Sequence, residues 1–300
     1  MNIYFEGVII TVCINLIAVL GVSVMTGFTR LFSFGNAGFM AIGAYTSAIL
    51  TKNYHVPFFV AMIAGAVMAG VVAYLLGRLT LRLDGDYFLI TTLGFGEGVR
   101  VLFNYIAPIT GGAQGMAGIA KSASLPFSVI SAIVVFVFAW NLIHSKYGRS
   151  MTGIREQEIA AQAVGIDPMK TKVMAFVVSA IFAGWAGGLY AHSLTFISPV
   201  MFNLPKSAEL TITAVIGGLG SLTGSVMGTL IITLLPEIFR SLADYRMLVY
   251  GVAVVCLIVF KPDGLYGYRE FHLIRRFFGK KEPQAAAKKG SESEEVKRDE

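Results

Sequence analysis

The sequence predicts an all-α, polytopic membrane bundle whose Gly-rich helices are broken or re-entrant, with one further helix in a cytoplasmic loop. Three observations carry that prediction. Of the 300 residues 55% are hydrophobic and only 14% are charged, and the mean hydropathy is +0.70. An average soluble protein carries about 25% charge, so this chain cannot coat a globular surface in water. Apolar runs recur along the chain at close to the ~20 residues needed to cross a hydrocarbon core of about 30 Å. The basic residues fall between those runs and not on one folded face, so the net charge of +6 does not mark a nucleic-acid binder. A secreted disulfide scaffold and a cytosolic enzyme are excluded on the same grounds.

Taken in order, the candidate spans lie near 7–26, 33–51, 57–77, 87–106, 127–144, 173–194, 207–217, 222–236 and 247–260. The first follows no basic n-region, because no Lys or Arg precedes Arg30, and it ends in no A-x-A site; it reads as an uncleaved span. Cys13 and Cys256 lie inside apolar runs and read as small buried hydrophobes. The second and fourth candidates carry Gly35, Gly38 and Gly43, and Gly94, Gly96 and Gly98, which predicts that they are not simple straight helices. The seventh is half length and ends in Gly217-Gly218-Leu219-Gly220. Non-helical backbone at membrane depth survives only against protein or a water-filled cavity, so the stretch from Gly217 to Gly224 points to a substrate path. The competing reading is close helix packing, since Gly224 and Gly228 form a GxxxG.

Orientation follows from where Lys and Arg sit. With the N-terminus outside and every candidate crossing, 18 basic residues fall inside and 5 outside, the latter being Lys52, Lys121, Lys206, Arg240 and Arg246. The 145–172 loop and the C-terminus are thereby cytoplasmic, and an even number of crossings must separate Lys172 from Lys261. Residues 1–278 thus form a transmembrane domain of eight or nine membrane segments. From 279 to 300 the chain alternates charge with Ser and Gly and cannot bury enough apolar surface to order itself, so it reads as a disordered cytoplasmic tail. Arg275, Arg276, Lys280 and Lys281 lead into it at the level of anionic headgroups.

The cytoplasmic loop is too long for a helix hairpin and has start and stop signals of its own. Thr152 is a candidate N-cap, Gly165 a C-cap, and Pro168 lies just beyond. A helix near 152–165 is too polar to span and too short to be stable alone in water. Ile154, Ala161 and Val164 share one side, while Arg155, Glu156, Glu158 and Gln162 charge or polarise the others. It either lies on the lipid surface or docks in a groove of a cytoplasmic protein.

The run Glu158-Ile-Ala-Ala-Gln-Ala-Val-Gly165-Ile166 resembles the EAA loop of ATP-binding-cassette importer permeases, the coupling helix through which a separate ATPase drives the membrane subunit. Three more stretches agree with one family: Phe34-Gly-Asn-Ala-Gly-Phe-Met-Ala-Ile-Gly-Ala-Tyr45; Gly85-Asp-Tyr-Phe-Leu-Ile-Thr-Thr-Leu-Gly-Phe-Gly-Glu97 with Thr110-Gly-Gly-Ala-Gln-Gly115; and Gly217-Gly-Leu-Gly-Ser-Leu-Thr-Gly224. Together they are similar to the branched-chain amino-acid permeases of the LivM type, from about Gly27 to Gly267. The chain departs from that pattern at Gln114, where Asn is common, and at Ser225, where Pro is usual. The resemblance implies a second, different permease, two cytoplasmic ATP-binding subunits, and a periplasmic protein that delivers a hydrophobic amino acid across the bacterial cytoplasmic membrane. It further implies that Arg155, Glu158, Ala160, Ala161 and Gly165 couple the chain to the ATPase. Related permeases carry urea or short amides, so the substrate class stays open between these.

Within the spans, Glu97 is an ionisable group that costs several kcal/mol unless paired, neutral or beside water. Arg100, three residues on, is its expected partner. Asn36, Thr91, Thr92, Gly217, Gly218 and Gly220 are the other candidates for a translocation path, with interhelical hydrogen bonding or packing as the alternative. His192 and Trp185 read as packing residues, since one His without a second ligand makes no metal site. Asp84 and Asp86 read as a helix start and not as a Mg²⁺ pair. The chain has no G-x-x-x-x-G-K-[ST] run, so energy must come from a partner ATPase or, in the rival reading, from an ion gradient acting through Glu97.

Overall fold

The computed structural model describes residues 3–82 and 86–238 together with the single positions 251, 255, 259 and 264. These belong to one compact unit, Met1–Arg269. The predicted 247–260 span is described only at 251, 255 and 259, all helical; Asp84, Cys256 and the 279–300 tail lie outside the described residues.

The predicted spans become α1 (Ile3–Thr29), α2 (Asn36–Asn53), α3 (Phe58–Thr80) and α4 (Asp86–Tyr105). A short α5 (Ala107–Thr110), a 3-10 turn and strand β1 (Met116–Ala117) then lead to α6 (Leu125–His144). The loop after it folds as α7 (Lys146–Glu156) and α8 (Glu158–Ala163), followed by α9 (Pro168–Leu194), β2 (Phe196–Ile197) and a second 3-10 turn (Pro199–Phe202). The described part closes with α10 (Leu204–Gly217) and α11 (Leu222–Ile238). Among the described residues α1, α3, α6 and α9 are long and apolar enough to cross a membrane by length and composition.

The ends of these helices gather in two groups, as alternating crossings require. At one end β1 pairs antiparallel with β2, Lys52 Nζ donates to the Ala117 carbonyl at 2.8 Å, and Thr51 Oγ1 meets His192 Nε2 at 3.1 Å. At the other end Gly27 of α1 abuts Gly220, Gly264 abuts Gly218, and Arg155 reaches the Gly27 carbonyl. Lys52, assigned to the outside by the charge pattern, thus lies at one end, and Arg155, assigned to the inside, at the other.

The expected breaks at Gly35 to Gly43 and Gly94 to Gly98 do not occur. α2 starts directly after Gly35 and runs unbroken through Gly38 and Gly43, and α4 runs unbroken through Gly94, Gly96 and Gly98; Gly38, Gly43 and Gly96 are contact surfaces, while Gly94 and Gly98 stand in open space. A Cβ on Gly43 would strike the backbone of Gly184, so α2 and α9 touch main chain to main chain, and Gly65 of α3 joins them at the Gly43 carbonyl. Close approach of this kind is how helices gain packing energy where lipid supplies no hydrophobic drive. His192, fully buried, fills the same seam with its Nδ1 on the Gly188 carbonyl and its ring edge-on to Phe58, the packing role expected of it. Cys13 is buried in α1.

The Gly217 to Gly224 break does form, but at the end of the bundle and not at mid-depth. Gly218 (φ 120°) and Gly220 (φ 94°) turn the chain, and α11 returns against α10 with Gly224 and Gly228 seated on Gly217. The structure thus favours packing over a path for Gly217, Gly218 and Gly220. A different interruption lies deeper. The start of α10 meets Asn15, fourteen residues or about 21 Å from the last residue of α1. α10 thus begins about halfway along α1, and the stretch from Phe196 to Asn203 leads from the β1–β2 end to that level.

Candidate functional site

Two polar constructions stand out, one at each level of the bundle. The first is the α7 and α8 pair. Ser145, not Thr152, caps α7, accepting from the Tyr147 N–H at 3.2 Å; Thr152 sits mid-helix with its hydroxyl on the Gly148 carbonyl. The single helix expected over 152–165 is instead interrupted at Gln157, whose extended backbone (φ −156°, ψ 108°) turns the chain before α8. That turn lets two short helices bury Met151, Ile154 and Ala161 at once. Gly165 ends α8 as expected, with φ +85°, and open space surrounds the position of its missing Cβ. Asp167 then caps α9, accepting from the Lys170 N–H at 3.1 Å, and Pro168 takes the first helical position. That hydrogen bond, with the Lys170 ammonium beside it, holds the Asp167 carboxyl below its ordinary range.

Two of the predicted coupling residues, Ala161 and Arg155, are turned into the chain, and a third, Glu158, is tied to α9 while staying partly exposed. Ala161 is buried within the chain, which corrects its placement on a partner-facing side. Arg155 is a strut and not a rim contact: its Nη1 donates to the Gly27 carbonyl at 3.2 Å, its Nη2 pairs with Glu156 at 2.7 Å, and it lies over the Phe28 ring. Glu158 receives both carboxylate contacts from Lys172 Nζ at 2.8 Å, which ties α8 to α9. The outward side is Ile159 (77% exposed), Ala160, Ala163 and Val164 (76% exposed). These fall at i,i+4 spacing on one short ridge. Sequence reasoning singled out Ala160 but missed Ile159, and it placed Val164 on one side with Ile154 and Ala161, from which the structure separates it. The arrangement can receive a groove on its outer ridge and pass a displacement directly into α1 and α9.

The second construction surrounds the start of α10. Asn203 caps the helix, accepting from the Lys206 N–H at 3.1 Å. Lys206 Nζ reaches Asn15 Oδ1 of α1 at 3.0 Å and Glu209 at 3.1 Å, and Asn15 Nδ2 donates to Thr233 of α11 at 3.3 Å. Lys206 is therefore not an external loop residue, as its place in the sequence suggests, but a cation about halfway along α1. Glu97 pairs with Arg100 at 2.6 Å as expected and also accepts the Leu204 N–H at 3.1 Å.

Asn36 and Thr92 lie beside this cluster but look inward. Asn36 Nδ2 donates to the Ser33 carbonyl, Thr92 Oγ1 donates to the Leu89 carbonyl and accepts the Phe34 N–H, and both residues are buried. Thr91 bonds back to the Tyr87 carbonyl. Asn36 and Thr92 hold the corner between α1 and α2, while Thr91 bonds only within α4. The crevice between Phe34, Gly96, Glu97, Phe202, Leu204 and Ser207 leaves no room for a water molecule. The pairs Glu97 and Arg100 (side chains 32% and 30% exposed) and Lys206 and Glu209 (18% and 35%) still reach the surface of the chain. At that depth such a surface must meet protein or water, since lipid cannot solvate it. Among the described residues no group of three or more His, Cys, Asp or Glu could hold a metal ion.

The high-affinity branched-chain amino acid transport system permease protein LivM of Escherichia coli (strain K12) is 34% identical over 84% of this chain and 67% of its own length. The probable branched-chain amino acid transport permease protein LivH of Methanocaldococcus jannaschii is 24% identical over 87% of this chain and 91% of its own. The ribose import permease protein RbsC of Bacillus subtilis (strain 168) is 26% identical over 57% of each. No solved structure matches. The model of one family, the permease component of the branched-chain amino acid transport system, matches residues 4–259, and the chain, a multi-pass membrane protein of transport type, belongs to that family.

Proposed function

We propose that the chain is the membrane-spanning permease subunit of a binding-protein-dependent, ATP-driven importer that carries branched-chain or other hydrophobic amino acids inward. Its partners in this reading are a second homologous permease, two cytoplasmic ATP-binding subunits and an extracytoplasmic amino-acid-binding protein. It sits in the bacterial cytoplasmic membrane with the α7 and α8 pair and the C-terminus on the cytoplasmic side. The observation that carries the reading is the apolar ridge of Ile159 and Val164, standing exposed at the Gly27 end and braced to α1 by Arg155 and to α9 by Lys172. An ion-coupled carrier has no use for such a braced, outward ridge.

The substrate path in this reading runs beside the start of α10. The surface-reaching pairs of Glu97 with Arg100 and Lys206 with Glu209 offer both signs of charge to a zwitterion and face the second permease. Relatives named for ribose import share the scaffold, so the side chain carried is set by local surfaces and by the delivering protein, not by the fold.

Ile159→Arg and Val164→Arg test the docking ridge. Each leaves the buried face of α8 intact, so the protein should reach the membrane in normal amount. A desolvated interface anchor is worth about 2 kcal/mol or more, and uptake of labelled leucine should fall at least tenfold. Normal uptake by both variants would remove the ridge from the coupling assignment. Uptake that survives ATP depletion but collapses with an uncoupler would replace the ATP-driven reading by an ion-coupled one.

A further inference from the structure

At the Gly27 end of the bundle a groove of about 800 Å³ lies between the last turn of α3 and the first turns of α9. That volume is within the ~300–1,000 Å³ of sites that hold small molecules. Its two halves differ in chemistry. The floor is apolar, built by Val173, Met174, Val177 and Val178 on one face of α9 and by Tyr74 across from them on α3. The mouth is charged, with Arg78, Arg82 and Lys170 against the single carboxylate of Asp167, a balance of +2 among the lining residues.

The charges are not equivalent. Lys170 pairs with Asp167 at 3.1 Å and its charge is largely balanced. Arg78 lies over the Tyr74 ring, 5.0 Å from its centroid, which places the guanidinium above the apolar floor. A guanidinium is the side chain best suited to grip a phosphate oxygen pair. A soluble anion would satisfy the mouth but leave the floor bare, and that floor belongs to a helix apolar enough to cross the membrane. A ligand with an anionic phosphate head and an aliphatic tail satisfies both.

We propose that this groove is a binding site for an anionic phospholipid of the cytoplasmic leaflet, with the phosphate held by Arg78 and Arg82 and an acyl chain laid against Val173 to Val178. The site stands apart from the translocation reading and does not depend on which substrate is carried. Its occupant braces the start of α9, the same turn that follows α8 and carries Lys172. Basic residues near an anionic membrane surface each contribute about fivefold in affinity.

The test measures lipid retained by the detergent-solubilised full-length protein, by native mass spectrometry, after exposure to phosphatidylglycerol vesicles, phosphatidylcholine vesicles or inorganic phosphate. Phosphatidylglycerol should be retained over phosphatidylcholine, and R78Q/R82Q should weaken its binding about thirtyfold. K170Q should weaken it about fivefold, and D167N, which removes the opposing charge while keeping the helix cap, should tighten it about fivefold. Equal retention of the two lipids, or unchanged binding by R78Q/R82Q, overturns the proposal. Displacement of phosphatidylglycerol by inorganic phosphate alone overturns the lipid and leaves a soluble-anion site. Should R78Q/R82Q fail to fold, D167N decides, since a merely structural groove gives no gain in affinity when an opposing charge is removed.

Discussion

The α8 ridge and the start of α10 each carry the polarity that suits the other's surroundings. Ile159 and Val164 are apolar side chains standing out from the polar segment between α6 and α9, while Glu97, Arg100, Lys206 and Glu209 are charges set among apolar helices at the start of α10. The two misfits are handled differently. Around α10 each charged group finds a counter-charge within about 3 Å and the crevice is shut, so the cost of burial is met inside the chain. On α8 no described residue covers the ridge, and its roots are secured by Arg155 and Lys172. A closed polar cluster is a part that must rearrange to work, and an open apolar ridge is a part that awaits another molecule.

The sharpest way to break this comparison is Lys206→Met. It strands Glu209 and Asn15 beside each other without their shared cation. Breaking a fully buried pair costs about 3–5 kcal/mol, and the partial exposure here lowers the expected loss to about 2 kcal/mol. Thermal unfolding of the purified protein in detergent should show it, and adding Glu209→Leu should recover part of it. An unchanged melting temperature in the single variant would mean the cluster is solvated and not self-contained.

Ile159→Arg is the complementary substitution, because it should cut uptake at least tenfold while leaving the melting temperature within about 0.5 kcal/mol of the parent. A destabilised Ile159→Arg protein would place the ridge inside the chain's own core and erase the contrast. Gly165→Val is milder. A β-branched residue at φ +85° is strained by about 1–2 kcal/mol, but open space around the site confines the damage to the end of α8. Proteolysis within 157–168 should accelerate before global unfolding shifts.

The smallest effect concerns Asp167. Its folded carboxyl titrates below the ordinary 3.8 because the Lys170 N–H and ammonium favour the anion. A depressed pKa gives stability that is fully present above 3.8 and is lost as pH falls through the lower folded value. The start of α9 should therefore stay ordered at pH 4 to 5, read by amide exchange of Met169 and Lys170, and Asp167→Asn, which keeps a capping oxygen, should change that exchange only slightly.

Most of the helices were legible in the sequence because apolar length is a strong signal, and α1, α3, α6 and α9 stand within a few residues of their predicted limits. Glycine misled twice. In α2 and at Gly96 of α4 it is a contact surface and not a break, and at Gly94 and Gly98 it is neither; nothing in the local sequence distinguishes these cases until the partner backbone is in place. The interruption at Gln157 carries no Gly or Pro; it arises from burying Ile154 and Ala161 against different neighbours, a tertiary demand without a local mark. The start of α10 did leave a mark that went unread. Asn203 followed by Pro205 is a cap and a first-turn proline, and it places Lys206 inside a helix instead of in an external loop. Arg155, expected at a rim, was misplaced because no sequence pattern reports a carbonyl 128 residues away.

The glycine seam that joins α2, α3 and α9 has a mechanical consequence. Helices meshed through side chains can slip by exchanging rotamers, but at Gly43 and Gly184 main chain bears on main chain and there is nothing to disengage. The three helices form a plate without play. A load applied at α8 enters that plate through the Glu158 to Lys172 link and leaves it undiminished, so the yielding has to happen elsewhere, at the joint where an irregular strand of chain gives way to α10.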